Sequence, residues 1–224
     1  MVIGNLNMST KHNFTIILLI VLGIVTVFFL GVEVVRQSRA DKSEVNPYAG
    51  IGRPIDYAES PQDGAAEARL ALFEYGDFAC PACRTMQPVV EKILTKYVGK
   101  LRHVWKDFPV HGDLSRRAAA AARCAGVEGK FWAYHDWLFA QQENLAKIDY
   151  SAGARAAGVV KLNDFTACLG EESRAKLAER DALEAEALGF EATPTFVIGD
   201  RAFSGIVSFE DFERVVQVEL GKAQ

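Results

Sequence analysis

Cys80 and Cys83 stand three positions apart in Cys80-Pro81-Ala82-Cys83, between the apolar run Leu70 to Tyr75 and the amphipathic stretch Thr85 to Tyr97. At the first turn of a helix this spacing puts two sulfurs within disulfide reach, and Pro81 suits the first helical position, where an N–H is unpaired anyway. Cys80 then lies over the positive helix end, which favours its thiolate by about 0.3–1 kcal/mol, so it should ionise below a free thiol. Such a thiolate attacks disulfides, and Cys83 closes the ring. Pro81 and Ala82 bring no side-chain donor, so further stabilisation is expected from backbone N–H groups. Half a zinc site is the alternative, but it needs a second cysteine pair about 15–20 residues on. Cys124 and Cys168 each stand alone, and His12, His103, His111 and His135 show no ligand spacing. No metal site is assigned.

The elements that must position the pair follow from periodicity. Arg69 to Gly76 reads as a strand, Thr85 to Tyr97 as a helix with Met86, Val89, Val90, Ile93, Leu94 and Tyr97 on one face, and Leu101 to Lys106 as a second strand. This is a βαβ unit, whose strands lie parallel and join right-handedly. From Asp113 to Leu188 the chain turns helical, with helices over Ser115–Ala125, Phe131–Gln142, Tyr150–Ala157, Asn163–Leu169 and Ser173–Leu188. Trp132, Tyr134, Trp137 and Phe139 should pack that block. Thr195–Ile198 and Ala202–Ser204 flank Gly199-Asp200, a hairpin signal, and Ser208 opens a last helix to Leu220. Glu74 interrupts its apolar strand on the face of Leu72, opposite Phe73 and Tyr75. It is either solvent-facing or a buried acid that needs a partner.

Half of the 224 residues are apolar and the net charge is −4 without a basic stripe, which excludes a folded nucleic-acid binder as the working class. Phe14 to Val32 carries no charged side chain and is long enough to span the roughly 30 Å hydrocarbon core, so 14–32 is expected to be one transmembrane anchor after a short segment, 1–13. Cleavage after Ala40, in Ser38-Arg39-Ala40, is the competing reading. The polar stretch 33–67, broken by Pro47, Pro54 and Pro61, is expected to be a linker. Flanking charges alone point the wrong way, yet long following domains cross regardless and an oxidising dithiol belongs outside the cytosol. The catalytic domain is therefore expected on the outer face.

Phe73-Glu74-Tyr75-Gly76-Asp77-Phe78-Ala79-Cys80-Pro81-Ala82-Cys83, Arg123-Cys124-Ala125, Phe131-Trp132, Phe165 to Leu169 and Thr193-Pro194-Thr195-Phe196 occur in an order that resembles the DsbA-like thiol-disulfide oxidoreductases, particularly their membrane-anchored members. The resemblance covers about residues 68–220. It implies an α/β thioredoxin fold over 68–224 with an inserted helical domain at about 113–189. It makes Cys80 and Cys83 catalytic, Pro194 cis and facing them, Thr193 the residue nearest the sulfurs, and Glu74 a buried acid that moves protons beneath the dithiol. Cys124 and Cys168, on their own two buried free thiols or a bonded pair, would form a second, structural disulfide. The family uses no cofactor. Its partners would be thiol-containing exported polypeptides and a membrane re-oxidase of the DsbB type. A reductase or isomerase of the same fold, with electrons flowing the other way, remains open, as does a peptide-binding chaperone or assembly factor using the same groove.

Overall fold

The computed structural model describes residues 18–31 and 52–223. Residues 18–31 form helix α1, exposed along its whole length. Among the described residues no helix is long and apolar enough to cross a membrane, and the rest of the expected anchor, 14–32, lies outside them.

In the second unit, β1 (Gln62–Asp63), β2 (Leu70–Gly76), α2 (Pro81–Lys96) and β3 (Leu101–Asp107) lead into α3 (Asp113–Gly126), α4 (Phe131–Ala140), α5 (Tyr150–Ala156), α6 (Leu162–Leu169) and α7 (Glu172–Ala187). The chain returns through β4 (Thr195–Ile198), β5 (Arg201–Ser204) and α8 (Phe209–Lys222). The five strands lie in the order β1-β3-β2-β4-β5, with β2 and β3 parallel and the other neighbours antiparallel. This is a thioredoxin fold with a helical insert. Ser208 caps α8 by accepting a hydrogen bond from the Asp211 N–H.

Alternation along β2 sorts its side chains. Leu72 packs with Met86, Val90 and Ile93 of α2, Phe196 and Ile198 of β4, and Phe212 and Val216 of α8. Phe73 and Tyr75 face the other way, into a cluster with Ala185 of α7 and Phe190. Each such side chain stabilises by about 1.5–3 kcal/mol when fully buried. Trp105 of β3 stacks on Phe78 at 5.0 Å and belongs to the core of the insert, with Phe131, Leu138 and Phe139. A Cβ at Gly76 would lie 2.2 Å from the Trp105 ring, so only glycine lets β2 end against that indole.

Two expectations change. The linker, expected to run to residue 67, is anchored to the domain within its described part. Gln62 and Asp63 pair with Val104 and His103, the Ile55 carbonyl accepts from Lys106 Nζ at 2.6 Å, and the Glu59 carbonyl accepts from Arg123 at 2.9 Å. A two-residue strand has no readable period, and the carbonyls before it are held by buried charges far along the chain. The second change is in α4, which stops at Ala140. A 3-10 turn, Gln142–Lys147, follows and carries Gln142 to the dithiol loop.

The back of the sheet holds a buried ion cluster. Lys106 lies 3.2 Å from Glu184 and 3.8 Å from Asp181, while Arg123 pairs with Asp107 at 2.6 Å and with Asp181. Tyr75 donates its hydroxyl to Glu184. Burial drags the Lys106 ammonium below its ordinary value, and the two carboxylates pull it back. The cluster ties β3, α3 and α7 to the segment before β1.

Candidate active site

Pro81 occupies the first turn of α2 and Cys80 is its N-cap, with extended backbone and no side-chain capping bond. The helix start therefore presents its free N–H groups to the Cys80 sulfur. Both cysteines are reduced; Cys80 is 5% exposed and Cys83 fully buried. Cys80 Sγ lies 3.3 Å from the Thr193 carbonyl oxygen, and the Thr193–Pro194 peptide bond is cis. Cys83 Sγ accepts from the Asp77 N–H at 3.5 Å. The structure thus brings Cys80, Cys83, Thr193 and Pro194 together.

The two sulfurs ionise very differently. The Cys83 thiol, with the N–H groups of Cys83 and Ala82, holds Cys80 at about 5 against the opposing pull of burial. Burial, reinforced by the neighbouring Cys80, pushes the Cys83 thiol far up. The expectation of backbone stabilisation for Cys80 is met only in part, since the Cys83 thiol is the foremost donor. Pro81 is exposed and Ala82 half-buried, so the dipeptide lies at the surface beside the buried Cys80.

Three side chains that periodicity did not single out hold this loop. Gln142 donates to the carbonyls of Phe78 and Cys80, at 2.8 and 2.9 Å. The Asp77 carboxylate, 2% exposed as a residue, gathers the loop after β3 onto the loop before α2. His111 approaches that carboxylate through Nδ1 at 2.7 Å.

Glu74 is fully buried, beneath Cys83. Its Oε2 meets His103 Nε2 at 2.9 Å, and its Oε1 accepts from Gln87 Nε2 at 3.2 Å; the same amide reaches the Cys83 carbonyl. The solvent-facing alternative is thus excluded. His103 packs against Trp132 with the rings tilted and their centroids 4.7 Å apart, and Trp132 is fixed by donating Nε1–H to the Gln62 carbonyl. Gln87, His103 and Trp132 line an open cleft of about 680 Å³ together with Glu91, His135 and Asp136, so the buried carboxylate stands one side chain away from solvent. His103 was legible only as a histidine in a strand. The parallel register, Glu74 opposite Trp105, is what brings it to the acid.

Cys124 of α3 and Cys168 of α6 form a disulfide with Cα atoms 5.8 Å apart, separate from the dithiol. Tyr134 and Phe139 are buried in the insert, and Trp132 and Trp137 pack against its core.

The family model described as Thioredoxin (Thioredoxin_4) matches residues 58–218. Among solved structures, oxidised BdbD of Bacillus subtilis is 22% identical with a TM-score of 0.69, over 77% of this chain and 99% of that one. Alpha-DsbA1 of Wolbachia pipientis is 22% identical with a TM-score of 0.64, over 75% of this chain and 94% of that one. A curated relative named Na(+)/H(+) antiporter NhaA 1, from Salinispora arenicola, is 32% identical over 166 residues, 73% of this chain but 25% of the antiporter. The chain spans about a quarter of the length of such relatives, so the likeness is that of one domain. The family match over residues 58–218 places the chain in the thioredoxin family, and its dithiol at a helix start against a cis-proline stands on the fold it shares with these two structures.

Proposed function

We propose that the chain donates the Cys80–Cys83 disulfide to thiols of exported polypeptides. The observation that carries this reading is the placement of the two sulfurs, Cys80 at the N-cap of α2 beside the cis Thr193–Pro194 bond and Cys83 fully buried behind it, which favours the thiolate at Cys80 and the thiol at Cys83. A substrate thiolate attacks Cys80 Sγ, its proton already lost to water. The Cys80–Cys83 bond breaks, a mixed disulfide forms, and Cys83 takes the electron pair and then a proton. A second substrate thiolate attacks the substrate sulfur and expels Cys80 as a thiolate, the better leaving group of the pair. Oxidation of the substrate is balanced by reduction of the dithiol, and a membrane re-oxidase of the DsbB type would restore it.

Glu74 serves as the proton exchanger beneath Cys83, with His103 and the cleft behind it. The second disulfide, Cys124–Cys168, suits an oxidising compartment, and the uncharged stretch 14–32 suits a tether there. The test is the equilibrium potential of the Cys80/Cys83 pair against glutathione. A donor should lie above about −200 mV, whereas a value near about −270 mV assigns the reductase alternative. A Cys80→Ser variant should lose all exchange; full function in that variant would favour the chaperone reading. Carbonate extraction and protease accessibility of the full chain test the tether and its orientation.

A further inference from the structure

Asp77 contributes to the dithiol twice, through its backbone and through its side chain. Its N–H is directed at Cys83 Sγ, 3.5 Å away. Its carboxylate receives five hydrogen bonds: from the Ala79 N–H at 2.8 Å, the Val110 N–H at 2.9 Å, the His111 N–H at 3.1 Å, His111 Nδ1 at 2.7 Å and Ser115 Oγ at 2.9 Å. Four of these donors come from the β3–α3 loop and the start of α3. One buried carboxylate therefore fixes the peptide plane that faces the buried sulfur.

The half-exposed member of this set is His111, whose side chain keeps 44% of its surface open. A carboxylate partner makes Nδ1 the donor. Facing the ring is Asp77 from the β2–α2 loop, whose same carboxylate oxygen also accepts from Ser115 of α3, while Asp113, two residues on, is engaged by Arg116. His111 can be altered with little loss of buried packing, which separates its hydrogen bond from the core.

Resting on the exchange chemistry proposed above, we propose that Asp77 and His111 are positioning residues for Cys83: the donors gathered on the Asp77 carboxylate hold its N–H on the sulfur that becomes a thiolate whenever the Cys80–Cys83 bond opens or is about to close. When a substrate thiolate attacks Cys80, the electron pair of the broken S–S bond passes to Cys83 Sγ, buried and without solvent. The Asp77 N–H is the donor in place to receive that charge, and Cys83 later takes a proton equal to the one the substrate thiol lost. By microscopic reversibility the same N–H assists when Cys83 attacks in the reverse direction. Cys80 has its own donors, so its chemistry with a simple electrophile does not need this one.

The experiment separates the two sulfurs. For wild type, His111→Ala and His111→Asn, the opening of the oxidised pair by glutathione is followed by Trp fluorescence, and the alkylation of Cys80 by iodoacetamide is measured on the reduced proteins. His111→Ala is expected to slow opening about tenfold, as loss of a hydrogen bond to a charged group would, with Cys80 alkylation within about twofold of wild type. His111→Asn, which can again donate to Asp77, should recover most of the opening rate. Opening at the wild-type rate in His111→Ala, equal slowing of both reactions, or no recovery in His111→Asn would each overturn the positioning role. Absence of any glutathione reaction in the wild type would instead overturn the exchange reading beneath it.

Discussion

Selective reduction of the Cys80–Cys83 bond should stabilise the folded domain at neutral pH and destabilise it in acid. The folded, reduced chain holds Cys80 at about 5, against 9.0 for the free thiol. A depressed folded value favours the fold above it, and the gain is lost as pH falls through about 5. The linkage between these values is worth at most about 3 kcal/mol at about pH 7.5, less what solvent screening removes, and almost nothing at about pH 4.5. Cys83, raised by burial, contributes nothing at either pH and opposes folding only as pH nears that of an unfolded thiol. Against the thiolate stands the ring, since a four-residue disulfide loop restricts the unfolded chain by about 1.9 kcal/mol and so favours the oxidised form. The reduced form should therefore be more stable by about 1–2 kcal/mol at about pH 7.5 and less stable by about 2 kcal/mol at about pH 4.5, with the sign changing between the two. For a chain of this size the neutral difference is about 3–6 °C in Tm. Calorimetric melts of both forms, with Cys124–Cys168 intact, read it directly. A reduced form that melts lower at neutral pH, or a difference that does not change between the two pH values, would refute the thiolate argument.

The other predictions concern residues around and behind the pair. Glu74→Gln keeps the volume and the contact with Gln87 but removes the carboxylate facing His103; exchange should slow by about tenfold, and an unchanged rate would remove Glu74 from proton transfer. Replacing Cys124 and Cys168 together by Ala should cost about 2–4 kcal/mol in urea unfolding while the Cys80 alkylation rate stays the same, because the 44-residue span closes entirely within the insert. Lys106→Met strips the ammonium from Glu184 and Asp181 and the donor from the Ile55 carbonyl, and should destabilise by about 3–5 kcal/mol; a loss below about 1 kcal/mol would show the cluster to be energetically idle.

Local sequence rules carry a fixed amount of this molecule. The dithiol at a helix start follows from the cysteine spacing and Pro81. The faces of β2 follow from alternation, which put Glu74 with Leu72 and against Phe73 and Tyr75; the hairpin at Gly199-Asp200 and the insert's helices follow from turn residues and apolar periods. Family likeness added the cis bond before Pro194 and the Cys124–Cys168 pairing, which spacing alone left undecided. What tertiary structure decided is which buried polar groups meet. His103 reaches Glu74 because β2 and β3 align in one parallel register, 29 residues apart in sequence; His111 reaches Asp77 because the loops at the ends of those strands close on each other, 34 residues apart. Lys106 and β1 find partners only once α7 covers the sheet and the segment before β2 folds back on β3. Periodicity reports the face on which a side chain lies, since that depends on its own backbone. The partner of a buried charge depends on register and loop closure, and those are set by the whole core at once.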